Sequence, residues 1–307
     1  MQIYALIGTA GRTSVAGYFG GGFDDTNDLD VIAKLNYSTE TRTNLAAVLT
    51  VISRGVAAMA DSGVAGYFAG GTDGGGKLDT IQRIAFPAET KTVLGVTLTA
   101  QKDFIAGIAN SGVAGYFGGG NTPVSTVDRL AFPAETKSTI TSLTTASAFI
   151  YGLQDTGVAG YFAGGTDNTT KISAIDRYAF PAETKTVSSA VLTSARDSGA
   201  VFSNNNVAGY MCGGRDSGGF LSNINKLLFS TQTISSLTPT LTTAVRLCGG
   251  MANSEVAGYI GGGEETSGAT VTRFDRLTLP AEVKSTIAAV LSTNNSRIYG
   301  MANEGVF

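Results

Sequence analysis

Apolar positions in this chain come in short runs, and no segment sustains a helical period. In Val64-Ala65-Gly66-Tyr67-Phe68 both alternating faces are apolar: Val64, Gly66 and Phe68 on one, Ala65 and Tyr67 on the other. A strand of that kind needs sheet packed above and below it. One representative stretch has apolar runs at Phe104–Ala109, Val113–Phe117, Val127–Phe132 and Thr139–Leu143. Asn110-Ser111-Gly112 joins the first two as a short hairpin turn containing glycine. Pro133-Ala134-Glu135-Thr136 joins the last two, where proline presets φ and cannot continue a ladder. The pattern predicts four strands per unit.

That unit recurs. Val-Ala-Gly-Tyr begins at Val15, Val64, Val113, Val158, Val207 and Val256, at intervals of 49, 49, 45, 49 and 49 residues, and each copy runs into at least two glycines. A second element follows each copy: a β-branched or aromatic residue, a variable position, a basic residue, then an apolar–variable–apolar run. It reads Ile81-Gln82-Arg83-Ile84-Ala85-Phe86 in one copy and Val127-Asp128-Arg129-Leu130-Ala131-Phe132 in the next. The turn after it is Pro-Ala-Glu-Thr-Lys at Pro87, Pro133 and Pro181, Pro-Ala-Glu-Val-Lys at Pro280, and a looser Ser-Thr form at Ser38 and Ser230. Six repeats of 45–50 residues over 1–307 predict one repeat-built domain.

Composition narrows the chemistry. Of 307 residues 43% are hydrophobic, enough for a core, and 15% are charged, well below the usual quarter. The absence of histidine removes Ser-His-Asp, Cys-His and imidazole metal sites together. A net charge of −3 gives no reason to expect nucleic acid. No stretch approaches the ~18 apolar residues of a membrane span, and the first residues do not read as a secretory signal. Cys212 and Cys248 lie in apolar stretches and read as buried, inert thiols.

Four strands per repeat, each sheet sandwiched between two others, is the arrangement of a β-propeller. The apolar second strand ending in Gly-Gly and the apolar–basic–apolar third strand resemble Kelch-type repeats, although the tryptophan that usually opens the fourth strand is absent. The resemblance implies an all-β, six-bladed Kelch-like propeller of four-stranded antiparallel blades; the alternative is seven blades with one incomplete. The texture of Tyr-Phe-Gly-Gly-Gly with Pro-Ala-Glu-Thr turns is similar to repeat proteins of bacteria and phages, including cyanophage virion proteins. It implies a non-catalytic virion component, tail- or capsid-associated, that docks other subunits or host-surface glycan. The alternative is a bacterial surface or periplasmic interaction module, extracellular or at the cell surface. A homo-oligomer is compatible with either. Kelch-like copper oxidases need histidine and sialidase-type propellers need tryptophan-closed Asp boxes, so no catalytic residue is predicted.

The expected binding residues lie in the loops joining second and third strands, which differ in every repeat while the other turns stay alike. They are Asp24, Asp25, Asp28, Asp30, Asp73, Asp167, Asp216, Glu264 and Glu265. The run from Asp24 to Asp30 superficially resembles a calcium loop, but Leu29 and Leu35 stand where an EF-hand needs glycine and glutamate; a solvated acidic loop with no metal or cofactor is predicted, with a looser calcium site as the alternative. Glu89, Glu135, Glu183 and Glu282 follow Arg83, Arg129, Arg177 and Arg276 by six residues, which predicts a structural ion pair locking the third strand to its turn or to the next blade, with Arg129–Glu135 as its example. Gln232 would keep only a hydrogen bond. Ring closure is expected from Ile298-Tyr299-Gly300-Met301 as the inner strand of the first blade, with Ile3-Tyr4-Ala5-Leu6 bound peripherally or capping the pit.

Overall fold

The structure, a computed structural model, describes residues 16–303. It is a six-bladed β-propeller, each blade a four-stranded antiparallel sheet. Blades one to six carry the second strands Ala16–Gly20, Ala65–Ala69, Ala114–Gly118, Ala159–Ala163, Ala208–Cys212 and Ala257–Gly261. The inner strands Ala57–Asp61, Ala106–Asn110, Tyr151–Asp155, Ala200–Asn204 and Gly249–Asn253 serve blades two to six. Blade one takes its inner strand from the other end of the chain: Tyr299–Ala302 pairs with Ala16–Gly20, from Gly17↔Ala302 to Gly20↔Tyr299. The six inner strands then touch in a closed cycle. The seven-blade alternative is thereby set aside. Ile3-Tyr4-Ala5-Leu6 lies outside the described residues.

Burial falls from the axis outward. All six second strands are buried throughout, third strands alternate, and outer strands such as Thr136–Ile140 are largely exposed. The apolar run at Thr139–Leu143 places that outer strand too late in the chain. Its ladder in fact starts straight after the turn, with Ala131↔Thr136, and Leu143 has left the sheet to be buried between blades. The apolar signal marked the buried connection, because the outer strand itself is built of polar, solvent-facing residues.

The glycine of Val-Ala-Gly-Tyr has a specific cause. A Cβ at Gly115 would lie 2.0 Å from Met59 Sδ, and one at Gly66 would lie 2.3 Å from Met301 Cε. The central side chain of each inner strand sits over the glycine of the following blade, so any larger residue would push neighbouring blades apart. The paired glycines that end the strand turn the backbone toward the next blade. The second of them donates to its connection, as in Gly71 N–H to Lys102 O at 2.9 Å and Gly214 N–H to Val245 O at 2.8 Å.

Candidate functional site: the loop face

The face carrying the variable loops is closed at its centre. Each connection from an outer strand to the next inner strand passes the axis through one residue with positive φ: Gly55, Phe104, Phe149, Ser198, Leu247 and Arg297, between 52° and 66°. Their peptides form a closed ring. Phe104 N–H donates to Gly55 O at 2.7 Å, Phe149 to Phe104 at 2.9 Å, Ser198 to Phe149 at 3.1 Å, Leu247 to Ser198 at 2.5 Å, Arg297 to Leu247 at 2.7 Å, and Gly55 to Arg297 at 3.0 Å. Left-handed backbone costs a non-glycine residue about 1–2 kcal/mol, and the ring bonds offset that strain. Behind the ring the inner strands close on one another: a Cβ at Gly250 would lie 2.1 Å from Val201 O. The void left on the axis, between Ala58, Gly107, Gly152, Val201 and Tyr299, is about 30 Å³, room for about one water molecule.

Around this ring the variable loops of blades one to five are hairpins latched to the connection that follows. The latch joins the hairpin's closing residue to a residue about half a repeat later, and its chemistry changes from blade to blade. Asp28 meets Arg54 at 2.8 Å, Lys77 meets Asp103 at 3.6 Å with the polarity reversed, and Lys171 meets Asp197, reversed likewise. In blade five the pair is Phe220 with the Arg246 guanidinium, 4.7 Å from the ring centre. Blade three has Val124 beside the Ser147–Ala148 connection, with no charge. The first residue of the next hairpin joins in. Arg215 reaches Asp197 at 3.4 Å, Glu264 reaches Arg246 at 2.8 Å, and Phe23 lies under both Arg54 and Arg297.

The predicted binding acids are not brought into one cluster. Asp24, Asp73, Asp167 and Asp216 occupy the same place in four hairpins, and each accepts backbone N–H groups of its own tip. Those N–H groups, from Asn27 then Thr26 and from Thr170 then Thr169, hold the Asp24 and Asp167 carboxyls below the usual range. Asp25 accepts from the Thr270 hydroxyl at 2.6 Å. Asp28 is a latch residue; burial raises its carboxyl and Arg54 opposes the shift. Asp30 is half-buried, and its carbonyl accepts from Leu49 N–H at 2.8 Å. Glu264 holds Arg246, and Glu265 is bound by Arg273 at 2.6 Å and the Thr243 hydroxyl at 2.8 Å, which keep its carboxyl low. Among the described residues no three acidic or thiol side chains converge as a metal-ligand group.

The chain matches no protein-family model and no curated protein.

On the opposite, turn face the recurring ion pair exists, but between blades. Arg129 Nε meets Glu183 at 2.6 Å and Arg83 meets Glu135 at 2.9 Å, so Arg129–Glu135 is not the pair. Lys34–Glu89, Lys226–Glu282 and Arg276–Glu40 repeat the arrangement. The glutamate has positive φ in its turn, 51° at Glu135, and its carboxylate is shared with a residue that spacing did not suggest. This is the tyrosine of the preceding blade's Val-Ala-Gly-Tyr: Tyr67 donates to Glu135 at 2.9 Å and Tyr116 to Glu183 at 2.7 Å. The tyrosine ring stacks on the aromatic residue before the turn, Tyr116 on Phe180 at 5.4 Å. Gln232, replacing glutamate, donates to Tyr161 Oη at 2.8 Å.

The second element's variable position is also committed. Asp128, Asp176 and Asp275 accept from the Thr99, Thr144 and Thr242 N–H groups of the preceding blade, at 3.1, 2.7 and 3.0 Å. Both cysteines are buried and unpaired; burial pushes the Cys248 thiol up to about 12 and raises Cys212 as well, so both are neutral.

Proposed function

We propose that this chain is a Kelch-like propeller that works by binding, as a phage virion component docking other subunits or host-surface glycan through its loop face. The observation that carries the reading is the contrast between a fixed base and varied tips. Six hairpins with different tips stand on connections held by latches and by the axial ring, which is how a rigid scaffold presents recognition loops. The filled axis supports binding over chemistry, since the pit where a propeller enzyme would hold substrate is occupied by inner strands. The Kelch-like assignment draws on the Gly-Gly strand ends, the basic third strand and the blade closed by the C-terminal strand.

A bacterial surface or periplasmic interaction module uses the same face and is the second reading. Mass spectrometry of purified particles separates the two: the chain present at fixed stoichiometry is the expected result, and its absence from particles that retain infectivity overturns the virion reading. For the face itself, Thr26→Arg with Thr169→Arg should abolish partner docking without lowering Tm. Docking lost instead through changes at the Pro-Ala-Glu-Thr turns would assign binding to the other face.

A further inference from the structure

Between the hairpins of blades four and five the loop face opens into a cleft of about 560 Å³, within the range of small-ligand sites. Lys171 and Arg215 line it, yet both are turned onto Asp197, which is fully buried beneath them. Asp216 is occupied by the Gly218 N–H at 2.8 Å. Two cations and two carboxylates thus sum to zero, with both cations drawn to the one buried carboxylate and Arg215 keeping its Nε without a partner. Beside the Arg215 guanidinium, the groups open to a ligand are neutral: the Asn168 amide and the hydroxyls of Thr169, Ser194 and Ser217. None of these four side chains hydrogen-bonds to another group among the described residues.

We propose that this cleft binds a short neutral oligosaccharide. Hydroxyl and amide groups both donate and accept, matching a ligand whose hydroxyls do the same. The four charges of the cleft sum to zero, so a ligand with a net charge gains no net attraction there and still loses its hydration. The Lys171–Asp197–Arg215 bridge crosses the base of the cleft from one blade to the next, so the walls are set before binding and little order remains to be imposed. The methyl groups of Thr169 and Ala195 offer apolar surface to the C–H faces of a sugar ring. The hairpin of blade two, by contrast, with Gly74-Gly75-Gly76 at its tip, carries no side chain with which to build such a wall.

This inference rests on reading the loop face as the binding surface, and the test separates the two. The full chain is applied to an array of neutral and acidic oligosaccharides, and hits are titrated calorimetrically. Expected is binding to neutral glycans that Asn168→Gly/Thr169→Ala/Ser217→Ala weakens at least about tenfold without changing Tm. Glycine suits the φ of 73° at position 168. A matched blade-one variant, Thr26→Ala/Asn27→Ala, should bind normally. Preference for acidic glycans, no neutral glycan bound, or equal loss in the blade-one control each overturns the inference. In all three cases a protein partner that docks through the hairpin tips leaves the broader reading standing, and a partner that docks on the Pro-Ala-Glu-Thr turns removes it.

Discussion

The two faces of this propeller join the same blades in opposite ways. On the turn face one solution is used repeatedly: a tyrosine and a basic residue of one blade share the glutamate of the next, as Tyr67, Arg83 and Glu135 do. On the loop face no single joint is used throughout, and the pairs run from Asp28–Arg54 to Lys77–Asp103 to Phe220–Arg246. Variation there is therefore not freedom. Latch residues change in complementary pairs, and the side chains that vary without a structural partner are tip residues such as Thr26 and Thr169. A repeat that diverges in sequence still has joints to keep, so divergence locates a binding surface only after the paired positions are subtracted.

Both sets of joints depend on a closed circle, which sets the largest expected effect. Truncation after Ser296 removes Arg297 from the axial ring together with the inner strand Tyr299–Ala302. Ile298 and Met301 are fully buried, each worth about 1.5–3 kcal/mol, and the lost strand also uncovers blade two's Gly66 hollow and blade one's edge. The loss approaches the roughly 5–15 kcal/mol that holds a domain folded. The truncated chain should elute as aggregate or melt without a cooperative transition. A cooperative melt close to wild type would break the closure on which the comparison stands.

The turn face should also respond to pH as a unit. Burial first, then the neighbouring glutamate, raises the hydroxyls of Tyr18, Tyr67 and Tyr116, and burial raises Tyr210 and Tyr259 in the same joint. In the unfolded chain these groups ionise near pH 10, whereas in the fold they keep their protons. Their contribution is complete below pH 10 and is lost as pH rises through the raised values, each tyrosine adding about 1.4 kcal/mol per pH unit to the decline. Urea unfolding midpoints from pH 8 to 11.5 should fall steeply above pH 10. A flat profile would mean that the tyrosines ionise within the folded protein.

How much of this was legible follows from distance along the chain. Strand order and blade count were readable because Val-Ala-Gly-Tyr and its turns recur locally, and ring closure because Ala302-Asn303 continues Met301 as Ala109-Asn110 continues Ile108. The partner of Arg129 was misread because Glu135 is near in sequence, while Glu183 is near only once blades stack. The axial ring was invisible, since nothing in Phe104, Phe149 or Leu247 announces positive φ. The latches did leave a signal: Asp28 and Arg54 are 26 residues apart, as are Lys171 and Asp197. Comparing charges at that separation across repeats would have found them and would have removed Asp28 from the binding acids.

A natural exception tests whether the uniform joint owes its strength to charge. Tyr116 donates to a carboxylate, and Tyr161 meets the amide of Gln232. Tyr116→Phe should cost about 1.5–3 kcal/mol and Tyr161→Phe about 0.5–1.5 kcal/mol, the ranges for charged and neutral partners. Both rings stay stacked, on Phe180 and Phe229, so packing is held constant. Equal losses in urea titrations would reduce the joint to its stacking.

The smallest effect decides whether the loop-face joints are true pairs. Lys77→Asp sets a carboxylate beside the buried Asp103, and Asp103→Arg sets a guanidinium beside Lys77. Each single change should destabilise by about 1 kcal/mol, in the range of a partly exposed ion pair lost and replaced by like charge. The double variant recreates in blade two the polarity that blade one already uses at Asp28 and Arg54, so most of both losses should be recovered, a coupling that neither substitution has alone. Some deficit will remain, because Lys77 also donates to the Asn121 carbonyl and aspartate cannot. Thermal melts at low and high salt should show the recovery shrink as screening weakens the pair. If the double variant is instead as unstable as the two singles added together, positions 77 and 103 are neighbours without being partners, and the variable residues of this face return to the pool from which binding contacts are drawn.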